Sequence, residues 1–150
     1  MNTTRVLIVD DNEMNIAVAQ ATLDAEHFKT DSAANAWEAQ HKVAIFQPDL
    51  ILMDVQMPGM DGLELTQLLK ADAATRHIVI VAFTAFAMRG DEEKMRAAGC
   101  DAYLTKPIDV KRFGAQIRAC LADSRADDSL DAADLGVLEP TPDKAPAKAA

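Results

Sequence analysis

Five side chains able to do chemistry stand in this 150-residue chain, each just after one of four apolar runs. Val6-Leu7-Ile8-Val9 leads into Asp10-Asp11, and Leu50-Ile51-Leu52-Met53 into Asp54. His77 to Phe83 leads into Thr84, and Asp101 to Leu104 is followed by Lys106-Pro107. If these runs are neighbouring strands, three carboxylates, a hydroxyl and an ammonium converge at one end of a sheet. Packed carboxylates repel one another and resist ionisation unless a cation is present. Oxygen ligands from Asp11 and Asp54 suit Mg²⁺ that keeps waters in its shell, with Asp10 acting through a bound water. One oxygen of Asp54 is then left to act as a nucleophile. Attack on phosphorus builds charge on the equatorial oxygens, which need fixed positive partners. Lys106, the Thr84 hydroxyl, the backbone N–H of Ala85 and the metal would supply them.

Each residue also has an ordinary reading. Asp11 or Asn12 is a suitable cap for a following helix. Asp54 can open the turn that Met57-Pro58-Gly59 completes. Thr84 suits a strand end, and Lys106 a surface. Their joint occurrence after four separate strands favours chemistry, because in open α/β sheets sites lie beyond the carboxyl ends of the strands. Asp31-Ser32, after the second strand pattern, fits no role in such a site, and Trp37 is assigned to packing.

The elements that must position these residues are legible as five strand patterns alternating with five helical ones. Strands are expected at Arg5 to Val9, His27 to Ser32, Asp49 to Met53, His77 to Phe83 and Asp101 to Leu104. The first, third and fourth contain continuous apolar runs, as central strands do when helices cover both faces of a parallel sheet. The second is polar enough for an edge. Helical stripes are expected at Met14, Val18 and Ala21, at Ala39, Val43 and Phe46, and at Val110, Phe113, Ile117, Cys120 and Leu121. Asp61-Gly62-Leu63-Glu64 has the form of a capping box, Gly99 that of a left-handed helix end, and Glu92 and Arg96 that of an i,i+4 ion pair. Such a β-α repeat predicts right-handed crossovers and an open doubly wound sheet.

Composition bounds the rest. A net charge of −9 and a pI near 4.7 argue against a nucleic-acid-binding surface. Cys100 and Cys120 fit no metal spacing and read as small buried residues of a reducing compartment. No apolar run is long enough to cross a bilayer, and the amino terminus leads straight into a strand pattern, so a cytoplasmic, soluble protein is expected. One domain is expected over residues 1–122. Residues 123–150 hold seven acids, three bases and three prolines but no aromatic residue, a composition that predicts a disordered acidic tail.

Taken together, Val-Leu-Ile-Val-Asp-Asp-Asn, Asp-Leu-Ile-Leu-Met-Asp-Val-Gln-Met-Pro-Gly-Met-Asp-Gly, Phe-Thr-Ala and Leu-Thr-Lys-Pro resemble the response-regulator receiver family. The resemblance covers about residues 4–122. It implies a flavodoxin-like fold, a five-stranded parallel sheet in the order 2-1-3-4-5 with five helices. It implies Asp54 as phosphoacceptor, Asp10 and Asp11 as a metal-binding pair, a metal contact from the backbone carbonyl of Gln56, and Thr84 and Lys106 as phosphate contacts. It also implies a cis peptide before Pro107 and Tyr103 as an aromatic switch. The implied partners are a sensor histidine kinase or phosphotransfer protein upstream and a protein partner downstream. The downstream partner would meet the surface of helix four, strand five and helix five, where Met88, Met95 and Arg96 are expected beside Tyr103. The segment Thr84 to Met95 is similar to stand-alone cell-cycle regulators and to receivers of hybrid kinases.

Two other classes compete. A phosphohydrolase of the haloacid dehalogenase type also uses an aspartyl nucleophile after a parallel strand. It needs a general acid two residues on, where this chain has Gln56, which has no carboxyl proton to give. A flavin carrier shares the sheet order, but the acidic loop after the first strand is no cradle for phosphate. A self-modifying phosphoacceptor rather than an enzyme of external turnover is therefore expected.

Overall fold

The computed structural model describes residues 3–55, 61–85 and 89–126. Five strands, β1 (Arg5–Val9), β2 (Lys29–Ala33), β3 (Leu50–Asp54), β4 (Val79–Thr84) and β5 (Ala102–Thr105), alternate with five helices. These are α1 (Glu13–Ala25), α2 (Ala36–Phe46), α3 (Gly62–Ala71), α4 (Arg89–Ala98) and α5 (Phe113–Ala126). The strands form one parallel sheet in the order β2-β1-β3-β4-β5.

Alternation of side chains along the central strands divides the core into two layers. Leu7, Val9, Ile51, Met53, Ile80 and Ala82 face Ala39, Val43 and Phe46 of α2, Leu65 and Leu69 of α3 and Met95 of α4. Val6, Ile8, Leu50, Leu52, Val79, Val81 and Phe83 face Ala19 and Leu23 of α1 and Phe113, Ile117, Cys120 and Leu121 of α5. With helices on both faces, β3 and β4 are buried along their whole length. Each large aliphatic side chain so buried contributes about 1.5–3 kcal/mol. That layer arrangement is why the central strands read as unbroken apolar runs.

Strand boundaries depart from expectation most at β2 and β4, which begin two residues late, at Lys29 rather than His27 and at Val79 rather than His77. For β2 the physical reason is the end of α1. His27 takes a left-handed φ of 72° and its N–H bonds to the Asp24 carbonyl, while the Phe28 N–H bonds to that of Leu23. This double closure is a Schellman end, so His27 and Phe28 finish the helix instead of opening the strand. The same closure ends α4 as expected at Gly99 (φ 106°), with the Cys100 N–H on the Met95 carbonyl. The capping box of α3 forms in both directions, Asp61 N–H to Glu64 Oε1 at 3.1 Å and Glu64 N–H to Asp61 Oδ1 at 2.9 Å.

Several packing expectations fail. Met14 is 71% and Val18 37% exposed, and Ala21 is exposed too, so the inward face of α1 is Ile16, Ala19 and Leu23. Val110 is 54% exposed and precedes α5. Trp37 is not a packing residue: it stands 71% exposed on α2, edge-on to His41 with ring centroids 4.3 Å apart. Met95, expected on the partner surface, is buried at 1%, while Met88 lies outside the described residues. Finally, α5 continues past residue 122 to Ala126.

Candidate functional site

The crevice is built from the last rungs of the sheet. Asp54 closes β3 opposite Phe83, and Thr84 closes β4 opposite Thr105. Both belong to strands rather than to the loops beyond them, so their backbones are held by the ladder. Asp10 follows β1, with its N–H on the Ala33 carbonyl at 3.0 Å, and the Lys106 N–H bonds to the Thr84 carbonyl at 2.8 Å. Asp10, Asp54 and Thr84 are buried at 1–2% exposure. Asp11 is exposed at the rim, as is Ala85.

Carboxylate oxygens of Asp10, Asp11 and Asp54 all lie within 4.8 Å of one another. Lys106 Nζ stands 3.4 Å from Asp54 Oδ1 and 3.5 Å from Asp10 Oδ2, and 5.3 Å from the centre of the Phe83 ring. Three carboxylates against one ammonium leave a formal surplus of two negative charges among these groups. A divalent cation would match that surplus, and an all-oxygen donor set is what Mg²⁺ takes. The residues present therefore fit the ion.

Local bonding decides between the ordinary and chemical readings of Asp11. Asn12 is the N-cap of α1, its Oδ1 accepting the N–H groups of Met14 (2.9 Å) and Asn15 (3.2 Å). Asp11 is thus not the cap. Asp10 is oriented by two donors, the Asn12 N–H to Oδ1 at 2.9 Å and Asn15 Nδ2 to Oδ2 at 3.2 Å. Asn15 is a positioning residue that sequence reasoning missed. An asparagine one turn into a helix gives no signal until the fold turns it back toward Asp10.

Gly62 is a second missed contributor. A Cβ there would collide with the carbonyl oxygen and carbon of Asp54 and with the Met53 side chain. Only glycine lets α3 start against the backbone of the candidate nucleophile.

The Lys106–Pro107 peptide is cis. Tyr103, half-buried on β5, pairs in register with Ala82, one side-chain row below Thr84 on the same face. Its hydroxyl donates to Glu92 Oε2 at 2.6 Å. This bond to a carboxylate, with burial adding to it, pushes the phenol up to about 12. Among the described residues no ion pair joins Glu92 to Arg96, and Arg96 Nε is buried without a partner. Asp31 bonds to Lys42 Nζ at 2.9 Å on β2, outside the crevice group. Gln56 lies outside the described residues. Among the described residues, no helix is long and apolar enough to cross a membrane.

Comparisons with known proteins agree with this fold. Residues 6–118 match the family described as the response regulator receiver domain. The chain is 46% identical over 119 residues to a polar-differentiation response regulator, DivK, of Brucella anthropi, covering 79% of this chain and 97% of the relative. It is 45% identical over 122 residues to the DivK of Brucella ovis, covering 81% and 99%. Among solved structures, one described as a putative response regulator of Chloroflexus aurantiacus superposes with a TM-score of 0.76 at 26% identity, covering 81% of this chain and 99% of that one. The chemotaxis response regulator CheY4 of Vibrio cholerae shares the fold with a TM-score of 0.75, covering 79% and 99%.

Proposed function

Because the chain belongs to the response-regulator receiver family, a family of signalling proteins rather than turnover enzymes, we propose that Asp54 is its phosphoacceptor. The observation that carries the reading is the buried Asp54 carboxylate, held at the end of β3 within reach of two further carboxylates and one ammonium. The donor is a phosphohistidine of a sensor kinase or phosphotransfer protein. An Asp54 oxygen attacks phosphorus, a P–O bond forms as the P–N bond breaks, and the imidazole leaves with the electron pair. Lys106 stabilises the charge that develops on the phosphoryl oxygens, together with the Thr84 hydroxyl and the Ala85 N–H. Asp10, Asp11 and Asp54, with the Gln56 carbonyl, would hold Mg²⁺, which when bound offsets the carboxylate surplus and the phosphoryl charge. Asn12 and Asn15 hold Asp10 in place for it.

In this reading the signal leaves through α4, β5 and α5. A phosphoryl oxygen on Asp54 draws the Thr84 hydroxyl into a charge-assisted bond. Tyr103, on the same face beside the small Ala82, turns into the space that Thr84 vacates. The surface so altered meets a downstream protein partner in the cytoplasm. The chain catalyses only its own phosphorylation and dephosphorylation, and residues 123–150 add nothing to either.

Incubation with Mg²⁺ and acetyl phosphate tests the acceptor. Intact mass should rise by one phosphoryl group in the wild type and stay unchanged in Asp54→Ala. Phosphorylation that persists on another acid in Asp54→Ala would sink the assignment.

A further inference from the structure

We propose that Glu92 is a latch on Tyr103: its carboxylate holds the phenol hydroxyl at the α4 surface and biases the domain against the switched state. The inference rests on the switch reading of Tyr103. It starts from what the two residues are. Tyr103 Oη and Glu92 Oε2 are 2.6 Å apart, the short distance of an O–H donor on an ionised acceptor. Glu92 is half-buried on α4, which ends in a rigid Schellman turn and is pinned to the sheet by the fully buried Met95 one turn on. The acceptor therefore cannot follow the ring far.

Register fixes the direction of the ring's travel. Tyr103 neighbours Ala82, and the space beside Thr84 lies one row toward the carboxyl ends of the strands. Moving there takes the hydroxyl away from Glu92 and costs the charged hydrogen bond. An apolar residue at position 92 would impose no such cost. Glu92 lies outside the phosphoryl site and touches none of the reacting groups, so it is a positioning residue. Its effect is on the equilibrium that phosphorylation shifts. By linkage, whatever opposes the switched state also weakens ligands that favour it, by the same factor.

Tyr103 is the only tyrosine in the chain, which makes the test direct. Full-length protein carrying 3-fluorotyrosine gives one ¹⁹F resonance, followed while beryllofluoride is titrated in the presence of Mg²⁺. In the wild type the resonance should move from a latched to a switched position. In Glu92→Ala the unliganded resonance should already lie part-way to the switched position, and the beryllofluoride midpoint should fall about three- to tenfold, as expected for loss of one partly exposed charged bond. Glu92→Gln, which keeps a neutral acceptor, should fall between. Unchanged starting position and midpoint in both variants would overturn the latch while leaving the switch standing. A wild-type resonance that does not respond to beryllofluoride would overturn the switch and the latch with it. Asp54→Ala, showing no shift, separates binding at the site from binding elsewhere.

Discussion

Two lysine–aspartate clusters stand at opposite ends of the same sheet and are built on opposite principles. At the amino ends of β4 and β5, Lys70 Nζ bonds to Asp101 Oδ2 at 3.0 Å and to the carbonyls of Ile78 at 2.8 Å and Arg76 at 3.1 Å. Asp101 Oδ2 also accepts the Ile80 N–H at 2.8 Å. Charges match one to one, distances are short, and the bonds tie the end of α3 to the loops before β4 and β5, and Asp101 to β4 itself. At the carboxyl ends, Lys106 stands 3.4 and 3.5 Å from two carboxylates, with a third within reach of both. Charge is unbalanced there and the ammonium is shared at longer range. The first cluster is complete as folded. On the proposed function, the second awaits charge that arrives later, as a cation and a phosphoryl group.

The difference has opposite consequences for stability. Asp54→Ala should abolish phosphoryl acceptance, the largest effect expected, yet it removes one of three like charges. In Mg²⁺-free buffer its melting temperature should match or exceed that of the wild type. Mg²⁺ should then raise the melting temperature of the wild type more than that of the variant, since binding to the folded state alone is stabilising. Asp101→Ala should do the reverse. It leaves the Ile80 N–H without this acceptor and the Lys70 ammonium with only its two carbonyl partners, and should cost about 2 kcal/mol, less than a buried pair because both partners are partly exposed. Phosphorylation by acetyl phosphate should persist in Asp101→Ala at a temperature where the variant is folded. Denaturant unfolding of the two variants side by side decides it. If both lose stability equally, the contrast between the clusters is wrong.

Gly62→Ala probes the boundary between structure and chemistry. The added methyl meets the Asp54 backbone, and relief requires α3 or the end of β3 to move. Overpacking of this kind costs about 1–3 kcal/mol. Because the displaced atoms belong to the proposed acceptor, the rate of phosphorylation should fall as well, which a purely structural glycine would not cause. A variant that loses stability but phosphorylates at the wild-type rate would show that Asp54 tolerates the shift.

How legible these features were follows from what each residue depends on. Val6 to Val9, Leu50 to Met53 and Ile78 to Val81 read as central strands because burial on both faces leaves no polar alternation. Asp10, Asp11, Asp54, Thr84 and Lys106 were visible because strand ends mark the crevice before any coordinate is known. The face of α1 was misread because Met14, Ile16, Val18, Ala19 and Leu23 offer two apolar stripes. Only contact with the sheet and α5 selects the one through Ile16, Ala19 and Leu23. His27 and Phe28 looked like strand, since a left-handed histidine closing a helix has no glycine to announce it. Asn15 gives no signal in the sequence, and Glu92 signals only Arg96, because their actual partners, Asp10 and Tyr103, are brought to them by tertiary structure.

The Tyr103–Glu92 pair lies between the two clusters in kind, a single charged bond at short range on a half-buried side chain, and its effect at neutral pH is the smallest of those considered. It is nevertheless measurable, because folding pushes the phenol up to about 12 from an ordinary value near 10. A group whose proton is held more tightly in the folded state stabilises that state below its unfolded pKa. The contribution is therefore full below about pH 10 and is lost as pH rises through about 12. Phenolate absorbance followed on the single tyrosine should show its midpoint near the upper value in the wild type. In Glu92→Gln the carboxylate charge is gone while an acceptor remains, so the midpoint should move down toward the ordinary value. A wild-type midpoint near the ordinary value would mean that the Tyr103 hydroxyl does not rest on Glu92 in solution, and the pair would then carry neither the character of the structural cluster nor any bias on the switch.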